Sequence, residues 1–199
     1  MVVSSDLEKW EARYGREDAR LGTPEPFVAA ASRRLGSPAP GARALDVAGG
    51  LGRHAWCLAE AGYSTTLADI SPTGLGKARR ALSAVGLDLD TVSVDFTHDA
   101  LPEGPFATVV VAWFLLPLAR WRELGQRLQP GGHLLYVQPT TVNLERHDKP
   151  SARFLFSPGE LRQRAAEAGL EVHEYQEAWV EAGDDARHLA QLLARCPPA

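Results

Sequence analysis

Apolar residues along this chain fall into short runs separated by glycine, proline and polar punctuation, and the runs alternate between two periods. Residues 44–48, 64–69, 89–95, 106–112 and 133–137 read as short strands. Within the fourth, Val109-Val110-Val111 is a continuous β-branched run, the mark of a strand covered on both faces. Between them lie segments with helical spacing: 53–60, 72–85 with Ser71 as cap, and 118–128 before Pro130-Gly131-Gly132. Thr23 is the predicted N-cap of an earlier helix running to about Gly36, with Pro24 in its first turn. Ser157 and Glu160 have the spacing of a capping box for a later helix, and 170–180 reads as a strand.

Strand–helix alternation at this beat predicts an α/β, Rossmann-like fold: right-handed crossovers and a mostly parallel sheet with helices on both faces. Ligands in such sheets bind beyond the carboxyl ends of the strands. That rule directs attention to residues 48–52, 69–71, 95–96, 112–116 and 138 onward.

The chain has 199 residues, enough for one domain. It divides into an N-terminal helical cap, 1–36, and a Rossmann-like core, 42–199. A net charge of −4, with Lys and Arg scattered, gives no electrostatic reason to expect nucleic acid or an anionic membrane as partner. Two distant cysteines, Cys57 and Cys196, form neither a disulfide framework nor a zinc motif. With no apolar run near the ~20 residues of a membrane span, and no signal-like segment in 1–20, a cytoplasmic setting is expected. No pattern in the chain sets its oligomeric state.

The strongest chemical signal is Ala48-Gly49-Gly50-Leu51-Gly52, which follows a strand and opens a helix. Glycines let the backbone turn sharply and approach a ligand, and the helix behind offers unpaired N–H groups. Asp69 ends the second strand, near the ~20-residue interval over which such folds place an acid on ribose hydroxyls. Together these features imply an adenosine-containing ligand. Gly50-x-Gly52-x-x-Ala55 also satisfies the dinucleotide pattern, so NAD competes. Three details favour S-adenosylmethionine (SAM). Asp46 sits just before the glycines, where a carboxylate suits a ligand ammonium. Asp95-Phe96 offers an acceptor and a ring to an adenine. The chain also has no second domain to hold a hydride-transfer substrate.

Further pieces are Trp10-Glu11-Ala12-Arg13-Tyr14, Ala68-Asp69-Ile70-Ser71, Leu128-Gln129-Pro130-Gly131-Gly132, Ser157-Pro158-Gly159-Glu160-Leu161 and Leu192-Leu193-Ala194-Arg195. With the glycine loop, they make most of the chain resemble the small class I SAM-dependent methyltransferases of the tellurite-resistance type. One departure is Ala48, where that superfamily usually has its first glycine. The resemblance implies that Asp46, Ala48, Gly49, Gly50 and Gly52 wrap the methionine part of SAM. Asp69 would hold the ribose, Ile70 would pack on adenine, and Asp95 with Phe96 would frame the adenine amino group. Ala112 and Trp113 would lie near the sulfonium, with Trp113 in the methyl-acceptor wall. Trp10, Arg13 and Tyr14 would belong to a helix folded over the site and face the acceptor.

These parts imply methyl transfer to a small-molecule nucleophile by direct in-line displacement, in which the protein aligns and desolvates the reactants. His147, in the long loop after the fifth strand, is the candidate base, and His54 a neighbour of the SAM carboxylate. No metal-ligand spacing occurs. Alternatives are a nicotinamide-dependent oxidoreductase and a non-catalytic SAM-binding protein. The C-terminus separates them. Residues 185–195 are rich in helix formers, yet the methyltransferase reading requires an antiparallel strand there, forming a hairpin with 171–180 through a turn at 182–185 and completing a seven-stranded sheet. Period two then puts His188, Ala190 and Leu192 on one face, and the resemblance makes His188 a substrate-orienting group.

Overall fold

The computed structural model of the protein describes residues 5–182 and 185–199. Seven strands form one sheet: β1 (Arg43–Val47), β2 (Ser64–Asp69), β3 (Asp90–Ser93), β4 (Phe106–Ala112), β5 (Leu128–Pro139), β6 (Glu171–Ala182) and β7 (Asp185–Arg195). Their order is β3-β2-β1-β4-β5-β7-β6. The first five run parallel, and β7 is inserted antiparallel between β5 and β6. The strand order reverses between β1 and β4, which creates the crevice where this class of sheet binds ligands.

Among the described residues, six α-helices accompany the sheet: α1 (Ser5–Gly15), α2 (Pro26–Leu35), α3 (Arg53–Glu60), α4 (Pro72–Ser83), α5 (Trp121–Arg127) and α6 (Glu160–Glu167). The alternation of β4, β5 and β7 side chains sorts the core into two layers. Val110, Ala112, Leu135, Val137, Leu189 and Leu193 meet α2 and α3 through Val28, Ala31 and Leu58. Val109, Val111, Leu134, Tyr136, Ala190 and Leu192 meet α5 and α6 through Trp121, Leu124, Leu161 and Ala165.

The C-terminal segment is a strand, against its local propensity. Propensity differences amount to tenths of a kcal/mol per residue, whereas fully burying each leucine contributes about 1.5–3 kcal/mol. Leu189, Leu192 and Leu193 are all buried between two paired neighbours, so burial decides. Gly183 and Asp184 of the expected turn lie outside the described residues. The β3–β4 connection, 94–105, contains no helix. Phe96 and Leu101 fill the layer there instead, and Arg120 and Glu123 bond the loop's backbone.

Several boundaries differ from expectation for identifiable reasons. Glu25, not Thr23, is the N-cap of α2, because Pro26 occupies the first helical position. The fourth predicted helix opens as a 3-10 turn, Leu118–Arg120, before α5. Pro130-Gly131-Gly132 lies inside β5 at a register shift rather than ahead of it. Only half of the capping box forms: Ser157 N–H donates to Glu160 Oε2 at 2.9 Å, while Gly159, at φ 80°, is the N-cap of α6. No described helix is long and apolar enough to cross a membrane.

Candidate active site

The crevice is built from the end of β1, held between β2 and β4. Beyond Val47 the backbone turns through left-handed conformations at Ala48 (φ 52°), Gly50 (φ 59°) and Gly52 (φ 82°) and enters α3. For Ala48 this is a sparsely populated region, the kind of local strain that concentrates at ligand sites. At Gly49 a Cβ would fall 2.2 Å from an Asp46 carboxylate oxygen, so the turn can wrap Asp46 only if that residue is glycine.

Asp46 is fully buried. Its Oδ2 accepts from Ala55 N–H in the first turn of α3 at 3.0 Å, while Oδ1 has no hydrogen-bond partner. Burial pushes its pKa up to about 7, against the opposing pull of the Ala55 N–H and of Arg53. His54 Nδ1 lies 4.0 Å from that orphaned oxygen. Glu25 N–H donates to His54 Nε2 at 3.2 Å, which leaves the ring proton on Nδ1. Burial, helped by Arg53, pulls the His54 pKa down to about 3.

Asp69 closes the next side. Its Oδ2 accepts from Gly50 N–H at 2.8 Å and its Oδ1 from Ser71 N–H at 2.9 Å, so it ties the glycine turn to the β2 tip. Burial raises its pKa. Capping of α4 falls to Ser71, whose Oγ accepts from Gly74 N–H at 3.0 Å. Ile70 is half-buried beside it. Asp95, half-buried at the far side, has Oδ1 engaged by Thr97. Phe96 differs from its expected role: its ring is buried in the core against Phe114, so only its backbone remains for an adenine.

Helix α1 covers the crevice. Glu11 accepts from Ser71 and Thr73 and anchors the helix on the α4 N-terminus. Tyr14 lies over the glycine turn, where a Cβ on Gly50 would fall 2.3 Å from the Tyr14 hydroxyl. Burial, with Asp69 next, raises the Tyr14 pKa. Trp10 stacks on Tyr14 at 5.4 Å; no residue of α1 is fully buried, so the pair is not ordinary core packing.

At the β4 tip, past Ala112, Trp113 adopts φ 59° and remains 38% exposed. Its indole N–H donates to Glu25 Oε1, which also accepts from Arg53 Nη2 at 3.1 Å. Glu25, 8% exposed, therefore joins the start of α2, the first residue of α3 and the β4 tip. The sequence reading missed it, because a partner 88 positions away leaves no local pattern. Its only signal was an acid set between Pro24 and Pro26.

The two candidate histidines gather at a different place, where the loop after β5 meets the hairpin. His147 Nε2 bonds Ala186 O at 2.8 Å, and a carbonyl only accepts, so this nitrogen holds its proton. His188 Nδ1 bonds Thr140 Oγ1 at 2.7 Å, and its ring meets Trp179 edge-on. Buried Asn143 clasps both backbone groups of His188, donating to its carbonyl at 2.6 Å and accepting from its N–H at 3.0 Å.

Residues 44–132 match the family model described as a methyltransferase domain. The match covers 89 of the chain's 199 residues. No curated protein matches the chain by sequence. Among solved structures, the chain resembles TehB from Haemophilus influenzae (19% identity, 95% of this chain, 66% of that one, TM-score 0.71). It is also similar to the N-methyltransferase NodS from Bradyrhizobium japonicum WM9, solved with S-adenosyl-L-homocysteine (SAH) (18%, 98%, 100%, TM-score 0.71). A third similar structure is a putative methyltransferase of Haloferax volcanii in complex with the Trm112 activator (20%, 98%, 99%, TM-score 0.72). At these identities the likeness establishes the fold. It is the fold of SAM-dependent methyltransferases, and SAM is the cofactor that the methyltransferase domain implies.

The residues present fit that cofactor. A buried carboxylate with an orphaned oxygen suits an ammonium group, and the strained turn over it offers backbone where side chains would intrude.

Proposed function

We propose that the chain transfers the methyl group of SAM to a small-molecule nucleophile by in-line displacement. The observation that carries this reading is Asp46, buried under the left-handed turn of the methyltransferase domain with Oδ1 unpartnered. The inserted antiparallel β7 supports it against a dinucleotide-dependent oxidoreductase, the competing reading of the same glycines.

When bound, SAM supplies an electrophilic methyl group on a sulfonium. The chain's own residues align and desolvate. Asp46 and the backbone of 48–52 hold the methionine end, while Asp69 and Ile70 face the ribose and adenine. Trp113, with its indole fixed by Glu25, forms the wall beside the reacting centre together with Ala112. Helix α1 excludes water, which sharpens every charge interaction beneath it. With Nε2 donating to Ala186 O, His147 would serve as base in this reading through Nδ1. The free thiols of Cys57 and Cys196 support a reducing, cytoplasmic setting.

Transfer of label from SAM to a panel of soft anions, thiols, amines and oxygen acceptors tests the reading. Labelled product with at least one acceptor, lost in Trp113→Ala, is expected. SAM binding without turnover across the whole panel contradicts it.

A further inference from the structure

We propose that the mouth of the cleft takes the methyl acceptor as a planar organic anion, gripped by cations and rings that α1 and the 140–156 loop supply jointly. This rests on the methyl-transfer reading and names the acceptor class for that site.

Lys9 and Tyr14 are five residues apart on α1, about 7.5 Å along its axis. Tyr14 lies over Gly50 at the β1 tip, and Lys9 reaches Phe154, whose carbonyl accepts from Gln138 Nε2 at the β5 tip. The helix therefore reaches from the tip of β1 to the loop that follows β5. Along that reach cations and rings alternate. The Arg13 guanidinium is 5.3 Å from the Trp10 centroid, and Lys9 Nζ is 5.1 Å from Trp10 and 5.9 Å from Phe154. The Arg153 guanidinium then stands 4.6 Å from Phe154.

None of these three cations pairs with a carboxylate among the described residues, and Glu11 on the same helix is bonded to Ser71 and Thr73. A chain with net charge −4 thus presents three uncompensated positive charges along one chain of contacts. Like charges so arranged repel, and an anion bound among them removes that repulsion. The rings choose its shape. Phe154 is 40% exposed and Trp10 is half-buried, apolar surfaces that a flat body covers and a compact inorganic anion does not. A neutral aromatic would cover the rings and leave the guanidinium forks unanswered.

Calorimetric titration of 2-naphthoate and 2-naphthamide, with and without SAH, tests the assignment without requiring turnover. Naphthoate is expected to bind about tenfold more tightly than the amide, and the preference should shrink at ~0.5 M salt. Combined Lys9→Gln, Arg13→Gln and Arg153→Gln substitutions, all on exposed side chains, should bring the two probes within about twofold. Charge-conserving Lys9→Arg should retain the preference. Equal binding of the two probes, or a preference that survives the triple substitution, overturns the inference. Failure of SAH to bind would overturn the methyl-transfer reading alone, since the probe comparison without SAH still decides the acceptor class.

Discussion

Asp46 and His54 face each other with opposite protonation habits. The folded Asp46 titrates near 7, and an unfolded aspartate near ~3.9, so between those values the folded state holds a proton that the unfolded chain has released. Stability therefore falls as pH rises through that window and levels off above about 7. His54 does the reverse: with its pKa pulled down to about 3, it adds stability as pH rises from there towards ~6.5. Asp46→Asn removes only the first slope. Urea unfolding of wild type and variant across pH 4–8 should show the variant's relative stability growing up to about pH 7 and then holding constant. A difference independent of pH would mean that Asp46 is ionised in the fold. A ligand ammonium beside Oδ1 favours the carboxylate, so SAH binding at pH 6.5 should release protons, seen as heats that depend on buffer. Heats unchanged between buffers would remove Asp46 from the ammonium site. Gly50 offers a second residue-scale check. Gly50→Ala places a methyl against Tyr14 at a positive φ, so it should weaken SAH binding and stability together. Adding Tyr14→Ala should recover part of the stability, which two independent sites would not do.

At the scale of elements, the sheet was legible wherever one pattern dominated. The β-branched run lies inside β4 as expected, and the glycine turn after β1 and the acid ending β2 appear at their expected strand tips. The C-terminal strand was legible only through resemblance, because its local propensity is helical and burial of Leu189, Leu192 and Leu193 overrides it. Long-range polar contacts were not legible at all. Glu25 to Trp113 and Asn143 to His188 join segments whose neighbours in sequence give no sign of the partner. Asn143 shows what such a contact contributes. It is fully buried, and its removal leaves the His188 N–H without its acceptor, a loss on the order of 1–3 kcal/mol. Asn143→Ala should lower Tm by about 2–4 °C for each kcal/mol lost, and the change should quicken hydrogen exchange at His188 relative to β1. An unchanged Tm would mean the loop and hairpin do not depend on this clasp.

For the molecule as a whole, the turn after β1, the tips of β2 and β4 and helix α1 make one enclosure at the carboxyl end of the sheet. The glycine turn forms its floor, Asp69 and Asp95 one flank, Trp113 the other, and α1 the roof. The β3–β4 connection has no helix, and the β5–α6 loop is clasped to the hairpin through Asn143. The central claim, that this enclosure is built for SAM rather than a nicotinamide dinucleotide, is tested most directly by calorimetric titration of the purified protein with SAH and, separately, with NADH. One SAH per chain is predicted, weakened in Asp69→Asn by about 1.5–3 kcal/mol, with no heat from NADH. Saturable NADH binding in the absence of any SAH binding would contradict the account.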